Sequence, residues 1–137
     1  MRSNAYQSYL EAEILAADPV RLVEMLYRAA LGAVGNARKH LNAGDIGNRS
    51  QQITKVMEIL AELLHSLDAQ QGGEISERLL ALYDYMQVRL LEANGQQTDL
   101  PLAEVERLLT TLLEGWSAVP ARRPPIETSA LLAPPSY

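Results

Sequence analysis

The sequence predicts an all-α fold: an antiparallel, up-down bundle of four long helices preceded by a short one. Three observations predict it. Apolar residues recur every three or four positions over four long stretches, the spacing that gathers them on one helix face. No stretch alternates apolar and polar with period two over a useful length, so no half-buried strand is expected. The breaks between stretches are short and carry Gly, Pro or Asn, and short connections make neighbouring helices antiparallel.

The first segment is short, from about Ala5 to Leu15, with Tyr6, Tyr9 and Leu10 on one face. The second opens at Asp18-Pro19. Asp18 is suited to cap the free amides of the first turn, and Pro19 falls where its missing N–H costs nothing. It runs to about Ala43, with a stripe of Leu22, Leu26, Ala29, Ala33, Ala37 and Leu41 widened by Val23, Ala30 and Val34. Its small residues Ala29, Ala30, Gly32 and Ala33 are expected to admit a close neighbour, and Gly44 ends it.

The third runs from about Gly47 or Asn48 to Ala69, with a coiled-coil-like seam of Ile53, Val56, Leu60, Leu63 and Leu67 flanked by Met57 and Leu64. Gly72-Gly73 stops it. The fourth begins with Glu74 and Glu77, whose charge suits a helix N-terminus, and its main stripe is Ile75, Leu79, Leu82, Met86 and Leu90. Asn94-Gly95 reads as its stop. The fifth, capped by Thr98 or Asp99, carries Leu102, Val105, Leu109, Leu112 and Trp116 on one face to about Ser117. Residues 1–119 therefore read as the bundle. Pro120 to Tyr137, broken by prolines at 120, 124, 125, 134 and 135, reads as a flexible tail, with Ala130-Leu131-Leu132 a small apolar patch within it.

Composition narrows the functions. A chain of 137 residues is long enough to bury one core. It has no Phe and one Trp, so that core is aliphatic. The net charge of −5 argues against nucleic acid and against an anionic membrane surface. The absence of cysteine excludes disulfides and thiol chemistry and fits a cytoplasmic location. No signal peptide is apparent at the N-terminal end, and no apolar run is long enough to span a membrane.

No catalytic set emerges, and no cofactor or metal is expected. Glu62-x-x-His65 has the spacing of one half of a di-iron carboxylate motif, but His40 is preceded at the matching position by Ala37 and no second half exists. Gly72-Gly73 lacks the spacing and lysine of a phosphate loop. The tyrosines carry more information. Tyr83 and Tyr85 stand about 200° apart on a helix, so one is expected inside with its hydroxyl hydrogen-bonded and the other on a surface groove. Met25 and Ile59 fall off the main stripes and add apolar width. Tyr6, Tyr9, Leu10, Met25, Tyr27, Ile59, Tyr83 and Tyr85 are the candidate partner-binding residues, on a surface that accepts an amphipathic helix.

Ser66-Leu67-Asp68, Gly72-Gly73-Glu74-Ile75, Leu82-Tyr83-Asp84-Tyr85-Met86 and Ala93-Asn94, in this order, resemble the flagellar export chaperone family called FliS. So do Tyr6-x-x-Tyr9, the stretch from Ala17 to Tyr27, and Leu102 through Trp116. Asp18 stands where the family often has Ser, and Arg28-Ala29-Ala30 where Glu-Gly-Ala is common. The resemblance implies a helical bundle that binds the C-terminal, helix-forming segment of flagellin in the cytoplasm, prevents premature polymerisation and helps present it to the flagellar type III export gate. The place of Tyr6 and Tyr9 on a short, detachable helix leads to the further expectation that this N-terminal arm occupies part of the groove in the free protein and exchanges with the partner. The alternative is a regulatory adaptor that sequesters another flagellar factor, such as an anti-sigma factor.

Overall fold

The computed structural model describes residues 19–69 and 73–118. They form four helices: α1, Pro19–Asn42; α2, Ile46–Ala69; α3, Glu74–Gln96; and α4, Leu100–Ser117. Among the described residues there is no strand. The expected short helix over 5–15, the cap at Asp18 and the tail over 120–137 lie outside them.

The helices form a square ring. α1 packs on α2 and α4, and α3 packs on the same two. Neighbours are antiparallel: Arg49 near the start of α2 reaches Asn94 near the end of α3, and Arg89 late in α3 meets Glu104 early in α4. Ser117 at the end of α4 donates to Glu24 near the start of α1. Each helix sends one apolar stripe inward: Val23, Ala30, Val34 and Ala37 from α1; Ile53, Val56, Leu60 and Leu63 from α2; Leu79, Met86, Leu90 and Ala93 from α3; Leu102, Val105 and Leu109 from α4. Leu67, Leu112 and Trp116 pack against this core half-buried.

The inward stripe of α1 departs from expectation. It centres on Val23, Tyr27, Ala30 and Val34, whereas Ala29 is exposed and Leu22 and Leu26 are half-buried. A helix at a corner of a square ring must serve two neighbours, so its buried centre points along the diagonal, between the two. Ala30 and Ala33 are buried as expected of a close approach, but Gly32 is exposed and a Cβ there would meet nothing within 4 Å. Ile75 is also displaced from the core, with 72% of its surface exposed, because it sits in the first turn of α3 at the end of the bundle.

The helix ends are set by side chains from distant parts of the chain as much as by local signals. Gly44 takes a positive φ of 71°, and its amide returns to the Leu41 carbonyl, as a glycine terminator does. Asp45 then caps α2 by accepting from the Asn48 amide, so α2 starts at Ile46, slightly ahead of expectation. Gly73, at φ 129°, opens α3 in a conformation open to glycine alone. Asn94-Gly95 does not stop α3. The helix continues to Gln96, and Gln97 takes the left-handed conformation. The Asn94 carboxamide oxygen is occupied by Arg49 and Ser50 across the bundle. Asp99 stands at the N-cap of α4 but makes no capping bond, because its carboxylate receives the forked guanidinium of Arg38 at 2.8 Å on both oxygens.

Candidate functional site: the outward face of α3

Eight large apolar side chains are exposed among the described residues, and five belong to α3: Ile75, Leu80, Tyr85, Val88 and Leu91. At 100° per residue, Leu80, Asp84, Val88 and Leu91 fall within an arc of about 80°, and Ala81 and Tyr85 widen it to about 140°. Leu80, Val88 and Leu91 are 46%, 52% and 58% exposed. α3 is thus apolar on two sides. One side builds the core and the other faces outward, more than an ordinary surface helix carries.

The rim of this face is polar and acidic. Tyr85 donates its hydroxyl to Glu104 of α4 at 2.8 Å, and Arg89 donates to the same carboxylate at 2.6 Å and to Glu92 at 2.7 Å. The Tyr85 hydroxyl and the Arg89 guanidinium hold the Glu104 carboxyl below the usual carboxylate range. Glu104 in turn pushes the Tyr85 phenol up. On the α2 side, Gln87 donates to the Met57 carbonyl at 3.1 Å, and its own carbonyl oxygen has no partner among the described residues. Glu77 and Asp84 form no ion pair among the described residues, unlike Glu74, which pairs with Arg78.

The candidate residues separate into groups. Tyr6, Tyr9 and Leu10 lie outside the described residues. Tyr85 stands on the α3 face. Tyr27 and Tyr83, 0% and 1% exposed, are in the core and withdrawn from any surface of this structure. They come from diagonally opposite helices, and their hydroxyls join at 2.7 Å across the middle of the ring. The Trp116 ring meets Tyr27 edge-on at 5.9 Å. Burial pushes both phenols up. Met25 is exposed on α1 and Ile59 half-buried on α2, both away from the α3 face. Leu80, Val88 and Leu91 were not singled out from sequence. Their signal was present: the leucine pairs Leu79-Leu80 and Leu90-Leu91 place one member inside and one outside. Glu62 and His65 are both exposed, and no group of three metal-ligating side chains occurs among the described residues.

The fold and the face define a class: an antiparallel four-helix bundle with a closed core and one apolar, acid-rimmed helix face exposed at its surface. The chain belongs to the FliS family; the family model described as Flagellar protein FliS matches residues 2–123. It is similar to the Flagellar secretion chaperone FliS of Salmonella typhimurium, 37% identical over 114 residues covering 82% of this chain and 84% of the relative. It is 34% identical to Flagellar secretion chaperone FliSB of Pseudomonas aeruginosa over 113 residues, covering 82% and 90%. Bacillus subtilis Flagellar secretion chaperone FliS is 31% identical over 113 residues, covering 82% and 84%.

Proposed function

We propose that this protein is a cytoplasmic flagellin chaperone. It binds the C-terminal helical segment of flagellin, prevents premature polymerisation and assists export through the flagellar type III apparatus. Family membership supports the cargo class, and the outward face of α3 is the observation that supports the mode of binding. An amphipathic segment lays its apolar stripe over Leu80, Val88 and Leu91, with Tyr85 at the border, and basic side chains beside that stripe meet Glu77 and Asp84. Covering the stripe removes from solution the surface that would otherwise assemble. The bundle core stays closed throughout, and the ordering of the cargo offsets part of the binding energy.

The test is calorimetry with the C-terminal segment of the cognate flagellin, with flagellin lacking that segment as control. One-to-one binding with a large negative heat-capacity change, lost on truncation, is expected. Leu80→Glu/Leu91→Glu should weaken it at least about tenfold, roughly 1.4 kcal/mol, while far-UV circular dichroism stays that of the parent. No binding at micromolar concentration by the folded parent would refute the cargo. Binding unaffected by the double substitution would refute the face.

A further inference from the structure

α3 sits in its ring in one register, and its apolar pattern fits a second. Its core slots hold Leu79, Tyr83, Met86 and Leu90. Four residues earlier in the chain stand Ile75, Leu79, Leu82 and Met86, an apolar set of the same spacing. Advancing α3 by four residues along its own axis, about 6 Å, puts each of these in the slot of the next. Ile75 is spare in the observed register, with 72% of its surface exposed, and Leu82 is half-buried against the core. The far end of the helix points the same way. α3 overruns Asn94-Gly95, so the left-handed position falls on Gln97 at φ 54°, a conformation that suits glycine better than a residue with a Cβ. An advanced α3 stops at Asn94 and gives that position to Gly95.

What opposes the advance is polar. It separates the Tyr83 hydroxyl from that of Tyr27, now 2.7 Å away, and leaves Tyr27 facing Leu79. It carries Asn94 away from the buried Arg49 guanidinium and drives Arg89 into the buried slot of Ala93. A buried hydroxyl or cation stripped of its partner is the costly outcome; one aliphatic side chain in the place of another of similar size costs little. We propose that the apolar core leaves α3 two registers one turn apart, and that the contacts of Tyr27 with Tyr83 and of Arg49 with Asn94 are the catches that hold it in the observed one. Releasing the catches moves Leu80, Val88 and Leu91 about 6 Å past the rim set by Glu104, so the outward face has two settings. Neither register depends on the identity of the cargo.

Thiol labelling tests this. The chain has no cysteine, so Ala93→Cys supplies a single reporter. Position 93 is fully buried in the observed register and passes beyond the core, to the exposed place of Gln97, in the advanced one. Tyr27→Phe/Tyr83→Phe added to the reporter should speed labelling at least about fivefold, because the advance no longer strands a hydroxyl. Arg49→Met should speed it as well. Ile75→Glu is exposed in the observed register and buried in the advanced one. Added to the Phe pair, it should return the rate to that of the reporter alone and leave urea unfolding unchanged. A labelling rate that the Phe pair does not raise would overturn the proposal. A raised rate that Ile75→Glu leaves standing would overturn it too, by making unfolding of α3, and not its advance, the route to the thiol.

Discussion

The hydroxyl pair of Tyr27 and Tyr83 makes a prediction that separates a buried hydrogen bond from mere aromatic packing. The two oxygens stand 2.7 Å apart, and the residues are 0% and 1% exposed. Tyr27→Phe keeps the ring and its edge-on contact with Trp116 but leaves the Tyr83 hydroxyl buried without its partner. The cost of such an orphan is about 1–3 kcal/mol. Tyr83→Phe should cost a similar amount for the reciprocal reason. Removing both hydroxyls leaves nothing unsatisfied between the rings, so the double variant should lie within about 1 kcal/mol of the parent. The coupling in the cycle is then of the order of the single costs, and urea unfolding followed by circular dichroism reads it directly. A double variant that loses the sum of the two singles would refute the account. The same pair fixes an alkaline limb. Burial raises both phenols above the usual tyrosine value of 10.0, so above that pH the unfolded chain releases protons that the folded chain retains. Stability from this pair is complete below pH 10 and falls as pH rises beyond it, by up to about 1.4 kcal/mol per unit for each phenol. The double Phe variant should lose that share of the slope; an unchanged slope would show that the pair is not its source.

Two further outcomes follow from the polar contacts. Arg49 is 4% exposed and is held by the carboxamide and main-chain carbonyl of Asn94, at the C-terminal end of α3 where the helix dipole favours a cation. Arg49→Ala should cost about 1.5–3 kcal/mol in urea unfolding, well above the ±0.5 kcal/mol or so of an ordinary surface change. The Glu104 carboxyl is held below its usual value by Tyr85 first and Arg89 second, so its contribution is present above about pH 4.5 and is lost as pH falls below it. In Glu104→Gln the acid limb of thermal stability should flatten below that pH; an acid limb identical to the parent's would contradict the assignment.

Where packing depends on one helix's own apolar pattern, the sequence was legible. The seam Ile53, Val56, Leu60 and Leu63 and the stripe Leu102, Val105 and Leu109 are both in the core. Where a side chain has a suitor from elsewhere, it was not. Asn94 looks like a terminator and Asp99 looks like a cap until Arg49 and Arg38, each more than forty residues away in the chain, take their oxygens. Local signals assume that a polar group serves its own backbone, and a tertiary partner with charge behind it wins that competition. The stripe of α1 was misplaced because spacing alone does not say which diagonal a corner helix faces; Tyr27, a residue often only half-buried elsewhere, occupies that diagonal here because Tyr83 satisfies its hydroxyl. Of the candidate site, the angle between Tyr83 and Tyr85 says that one of them faces outward but not which, and Leu80, Val88 and Leu91 were hidden among the many leucines of α3.

The run Leu82-Tyr83-Asp84-Tyr85-Met86 carries two separable demands within five residues. Tyr83 and Met86 point into the core, and their identities are set by the ring: one needs Tyr27 opposite, the other an aliphatic slot. Asp84 and Tyr85 point outward, and nothing in the core requires them. Tyr85 donates its hydroxyl to the Glu104 carboxylate, and that contact holds the ring at the border of the exposed face without burying it. Stability measurements on the run will therefore respond to Tyr83 and Met86. Within the run, Asp84 and Tyr85 are the positions that belong to the outer face, and Tyr85 also ties α3 to α4 through the Glu104 carboxylate.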